Sequence, residues 1–239
     1  MSKLILCLLM LTTRGISFSQ QLSKIDFDVI NDSINDSNSR YFYPNLINRL
    51  LKLDTNLTAD EFRYLYYGSV FQENYHPYGA TEKEVQFNNA LDAEKTGDSL
   101  LNIGLAVFYE NPINLDVILQ LTYLYGKNGQ TEKAIVFANI YVSFLEVIYA
   151  SGTGHNCESG FVVVSVDDEY LIAKDLGLKV VHQDLIGVCD LLVFSKSEQP
   201  RKTRIKELYF NARMPLSNLS KSFNQSELPR AEPLPDEDE

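Results

Sequence analysis

The 239-residue chain has no tryptophan, and only three histidines, three cysteines and three methionines. Without tryptophan it cannot carry the full signature of a tetratricopeptide repeat, so any likeness to that repeat is one of architecture. His155, Cys157, His182 and Cys189 are the right residue types for zinc, but they lack the paired short spacings of a zinc module, and no metal site is expected. Basic residues are scarce too, with 21 Lys and Arg against 32 Asp and Glu, a net charge of −11. That balance excludes nucleic acid as a natural partner, because phosphate binding needs clustered Lys and Arg, and it disfavours anionic lipid. Past the first residues no apolar run approaches the ~18 needed for a membrane span. No motif specifies a reaction, so no cofactor is expected and the chain reads as leaning away from enzymes.

What is present begins with a compartment. Lys3 followed by the apolar run Leu4–Leu11 and the small residues Ser17 and Ser19 reads as a secretory signal peptide over residues 1–19. Its removal leaves 19 basic residues against 32 acidic, a net charge of −13. The expected location is secreted or periplasmic, with no transmembrane segment in the mature chain. In an oxidising compartment the two remaining cysteines, Cys157 and Cys189, are a possible disulfide.

The body of the chain predicts an α+β fold. An N-terminal helical region, residues 20–150, is built from tetratricopeptide-like antiparallel helix pairs, and a C-terminal small β-sheet with one helix, residues 151–216, packs on it. From Leu115 to Gly126 and from Thr131 to Ile148 apolar residues recur at helical spacing around the loop Gly126–Gln130. Gly126 is placed to end the first of these helices and Thr131 to cap the second. The second has two apolar faces, as an inner helix needs. Another pair is expected over Thr81–Gly97 and Asp98–Glu110. Thr58 with Glu61, and Thr81 with Glu84, are capping boxes. Pro44 is placed to open a helix, while Asn31–Ser39 is turn chemistry.

After Gly152 the pattern changes to β-branched runs, with strands expected over Phe161–Val166, Leu178–Gln183, Val188–Lys196 and Thr203–Arg213. Asp167 or Asp168 is expected to cap the intervening helix. The segment 217–239 reads as an acidic, disordered tail.

The segments Leu57–Gly79, Gly152–Tyr170 and Glu207–Leu219 resemble the exported bacterial family known as domain of unknown function 4919. The resemblance runs from about Tyr41 to Phe223. It implies an exported protein with no assigned activity, cofactor or catalytic residue.

Three groups are candidate sites. His155 beside Cys157 suits a thiol nucleophile with its base, although a paired, structural Cys157 explains the loop equally. Tyr64, Tyr67, Phe71, Tyr75, His76 and Tyr78 form a dense aromatic stretch that suits a binding groove rimmed by Glu73, Asn74 and His76. The same aromatics could fill a core. Asp167, Asp168 and Glu169 could serve acid–base work or calcium, or charge the start of a helix. The expected function is a non-enzymatic module binding a protein or peptide. The alternative is a cell-envelope hydrolase or thiol enzyme using His155 and Cys157.

Overall fold

A computed structural model describes residues 24–93, 97–197, 199 and 204–226. The proposed signal peptide and residues 227–239 of the acidic tail lie outside these. Among the described residues are nine α-helices, most of them N-terminal, and a small C-terminal sheet, an α+β fold. The helices are α1 (Phe27–Asn35), α2 (Tyr43–Leu51), α3 (Ala59–Gly68), α4 (Glu82–Asp92), α5 (Asp98–Glu110), α6 (Leu115–Lys127), α7 (Thr131–Tyr149), α8 (Val166–Asp175) and α9 (Arg213–Ser226). The strands are β1 (Phe161–Val162), β2 (Val180–Ile186), β3 (Cys189–Phe194) and β4 (Glu207–Asn211), in the order β1-β4-β3-β2. β1 runs parallel to β4, and the other neighbours are antiparallel.

The inner helix is α7. It contacts α6 on one side, α3 on another and β1 at its end, which is why it needs two apolar faces. Phe144 of α7 is fully buried and meets Phe62 of α3 edge-on at 5.0 Å, while Phe137 stacks on Tyr125 of α6 at 5.4 Å. One cluster of buried side chains continues through Phe161 and Ile172 to Leu192 and Phe210, so the sheet shares the core of the helices. β3 is covered on both faces, as its apolar run Leu191–Phe194 requires, and Asp190 is buried with it. Among the described residues no helix is long and apolar enough to cross a membrane.

Both capping boxes form. Thr58 accepts from the Glu61 amide and Glu61 from the Thr58 amide, and Thr81 and Glu84 repeat the arrangement. Other boundaries differ from the sequence reading. α6 runs past Gly126, and the left-handed residue is Gly129 (φ 74°), while Thr131 is the first residue of α7 rather than its cap. α1 extends through Asn31–Asn35, because Asp26 caps it and Ile30 and Ile34 bury on the core. α3 stops at Gly68 and passes into a short 3-10 turn over Ser69–Phe71. The run Phe161–Val166 is a strand only at Phe161 and Val162. Ser165 caps α8 by accepting from the Asp167 amide, so neither Asp167 nor Asp168 is the cap. α9 occupies residues 213–226, where the sequence suggests a disordered tail from Ser217.

Candidate functional site

An open groove of about 740 Å³ lies where three helices begin. The starts of α4, α6 and α8 are held by Thr81, Asn114 and Ser165, and all three helices contribute lining residues. α2, the segment from Ser69 to Ala80 and the α5–α6 junction complete the walls. Aromatic surface comes from Tyr75, Tyr109 and Tyr170, and amides from Asn74, Asn88 and Asn111. A volume in this range suits a small ligand or a short stretch of polypeptide.

The walls are tied together by side chains from distant parts of the chain. Glu84 accepts from the Thr81 amide at 2.7 Å and from the Asn114 side chain at 2.5 Å, joining the start of α4 to that of α6. Tyr75 donates its hydroxyl to the Val164 carbonyl at 2.6 Å. At the floor Tyr66 donates to Asp168 Oδ2 at 2.6 Å, and the Val164 amide donates to the Tyr66 oxygen at 3.3 Å.

Carboxylates dominate the charged lining of the groove. Glu84, Glu110, Asp116, Asp167 and Asp168 line it, Glu110 paired with Lys83, and Lys174 is the nearby cation among the lining residues. The three helix starts contribute roughly +0.5 charge each, and even with Lys174 this falls short of cancelling Glu84, Asp116 and Asp167. Burial raises the Asp167 carboxyl, and the charges of Asp116 and Glu84 raise it further. Burial also pushes Asp168 up to about 7, against the opposing hydrogen bond from Tyr66. Behind it Glu169 is fully buried and neither of its oxygens has a donor. Burial and then the Asp190 carboxylate push Glu169 up to about 10, so it holds its proton at neutral pH and can donate to Asp190.

Of the aromatics singled out in the sequence, Tyr75 and His76 line the groove. Tyr64 instead stacks on Tyr41 at 3.8 Å, and Tyr67 is buried with its hydroxyl donating to the Val162 carbonyl at 3.2 Å. Phe71 sits edge-on to Phe27, and Tyr78 is partly buried near Glu169 and Asp190. Asn74 joins His76 on the rim and Glu73 does not. Asn114, Asp116, Tyr109, Tyr170 and Lys174 are groove residues that sequence reasoning missed. The spacing of Asn111-Pro112-Ile113-Asn114 ahead of an apolar helix was the one local sign of a capped wall.

The second candidate is arranged differently. Cys157 and Cys189 form a disulfide with Cα atoms 5.7 Å apart, which leaves Cys157 without a thiol to act as nucleophile. His155 is exposed beside it. His182 lies on the solvent side of β2, 2.8 Å from Asp184. Among the described residues no three His, Cys, Asp or Glu side chains stand together as metal ligands would.

A helical body sharing one core with a small mixed sheet, and an acidic groove between three helix starts, define an α+β protein with one open cleft at those starts. The family model described as Domain of unknown function (DUF4919) matches residues 28–221, and the chain belongs to that family. No curated protein and no solved structure matches the chain.

Proposed function

We propose that the protein is exported and works by holding an extended, basic stretch of a protein or peptide in the acidic groove, without catalysing a reaction. The observation that carries this reading is the meeting of uncompensated carboxylates with aromatic and amide side chains in one open cleft. Aromatic faces offer apolar area to side chains, amides suit the polar groups of an extended backbone, and carboxylates select Lys or Arg. The adjacent helices α4, α5 and α6 supply part of the wall, packed in succession in the manner of a repeat-type stack. The Cys157–Cys189 disulfide and the apolar run Leu4–Leu11 support an oxidising destination outside the cytosol.

Fluorescence anisotropy tests the proposal with a pair of labelled extended peptides, one Lys- and Arg-rich and one its Glu-rich counterpart. The basic peptide binds, its affinity falls as salt rises, and the double change Asp116→Asn with Asp167→Asn weakens it roughly tenfold. Equal affinity for both peptides, or none for either, overturns it. Asp168 favours a second reading, acid–base chemistry on a groove-bound substrate, since it lines the cleft and ionises near neutrality. Asp168→Asn separates the two: under the binding reading it leaves peptide affinity within about twofold, whereas chemistry at Asp168 would be abolished.

A further inference from the structure

The walls of the groove differ in chemistry. α2 packs chiefly on α3 and contributes Tyr43, Pro44, Ile47 and Leu51 to the lining, none of them a carboxylate or a cation. Tyr43 is buried and donates its hydroxyl to the Leu65 carbonyl at 3.4 Å, so its polar end is already engaged. Pro44 is exposed, and Ile47 and Leu51 are half-buried. Their spacing, i, i+3 and i+7, sets all three on one helix face, and that wall is apolar.

The carboxylates stand on other elements. α6 and α8 pack on each other, and each carries an Asp as its second residue, Asp116 and Asp167. Burial and then the charge of Asp116 raise the Asp167 carboxyl, so the two lie within each other's field. Among the described residues neither has an ion partner. The remaining acids of the lining are engaged: Glu84 accepts from Thr81 and Asn114, Glu110 pairs with Lys83, and Asp168 accepts from Tyr66. Asp116 and Asp167 are the two left to meet a ligand. Lys174 follows Asp167 at i+7 on the same side of α8, about 10 Å further along. It limits how far a run of positive charge can extend.

In an extended chain successive side chains point to opposite sides, and those on one side repeat about every 7 Å. A uniformly basic stretch would set half of its charges against Pro44, Ile47 and Leu51, where they lose water without gaining a partner. A uniformly apolar stretch would cover Asp116 and Asp167 to the same disadvantage. A chain that alternates satisfies both walls.

We propose that the groove selects extended segments in which apolar and basic residues alternate, the apolar side chains lying on α2 and the basic ones meeting Asp116 and Asp167. The inference rests on the peptide-binding reading above and names the pattern that such a peptide carries.

Fluorescence anisotropy on the intact protein tests this with two labelled peptides of identical length, charge and composition. One alternates Lys and Val, and the other places all of its Lys before all of its Val. The alternating peptide binds about tenfold more tightly. Ile47→Asn cuts that preference to about twofold, whereas Asp116→Asn weakens both peptides. Pro44→Ser, at an exposed position, reduces the preference in the same direction and serves if circular dichroism shows Ile47→Asn to be unfolded. Equal binding of the two peptides overturns this inference while leaving peptide binding in place, as does a preference that both substitutions leave intact. Binding of neither peptide overturns both.

Discussion

Two regions of the molecule handle buried carboxylates in opposite ways. In the helical body Glu61 is nearly inaccessible, yet it accepts from the Thr58 amide and hydroxyl and pairs with Arg49, which also holds Asp54 at 2.7 Å. Burial alone would raise Glu61, but the Thr58 and Arg49 contacts outweigh it and hold the carboxyl below the usual range. At the sheet end Glu169 is equally hidden, with Asp168 and Asp190 as neighbours and, among the described residues, no cation paired with it. The same chemical group is a helix cap in one place and a protonated acid in the other. Satisfied partners, rather than depth, decide the charge state.

Substitutions in the two regions should act differently. The largest effect is expected from the link that holds the sheet end together. Cys157→Ser closes no loop, and constraining a separation of 32 residues is worth about 3 kcal/mol in the unfolded chain. Chemical denaturation should show a loss of this size, along with proteolytic sensitivity confined to residues 153–194. Uniform loosening of the helices would mean that the two regions are not separable.

Next, Arg49→Ala leaves Glu61 with its amide contacts but no cation. The expected cost is about 1–2 kcal/mol, at the modest end because the guanidinium is partly exposed. The loss should shrink below pH 4, where Glu61 in the unfolded chain takes up its proton. No loss at pH 7 would show that the Thr58 contacts suffice.

A third effect has the opposite sign. Glu169 has a folded pKa raised to about 10 and Asp168 one raised to about 7. A raised acid in the folded state binds protons that the unfolded chain has released. Its stabilising contribution is therefore full below the unfolded pKa and is lost as pH rises through the folded one. Stability should fall from about pH 4 toward pH 7 through both groups, and onward toward pH 10 through Glu169. Glu169→Gln cannot ionise, so it should match wild type at pH 4 and gain a growing stability advantage over it as pH rises to 8. A variant that is less stable at pH 8 would show Glu169 ionised and paired.

Much of the helical body was legible because its signals are local. Thr58 and Thr81 each sit three residues before a Glu, and the reciprocal bonds need nothing beyond that turn. The sheet was legible as runs of apolar residues, but its limits were not. Val163 and Val164 are as β-branched as a strand requires, yet Ser165 turns the chain into α8 and both valines bury as core. Of the groove, Tyr75, His76, Asp167 and Asp168 could be named in advance from their types. Tyr109, Asp116 and Lys174 could not, because nothing near them in sequence marks them as neighbours. Tyr64 and Tyr67 misled because an aromatic stripe looks the same whether it fills a core or lines a cleft.

By itself the sequence determined the α+β class, the helix starts at Ala59 and Glu82, the inner position of α7 and the acidic balance of the surface. These follow from periodicity, capping and composition, which act over a few residues or over the whole chain. It takes the folded chain to bring three helix starts to one groove, Tyr66 to Asp168 across 102 positions, and Glu169 to Asp190 with no cation paired to it among the described residues. Those facts depend on which distant surfaces come into contact. Burial and charge coupling are properties of that contact rather than of any residue alone.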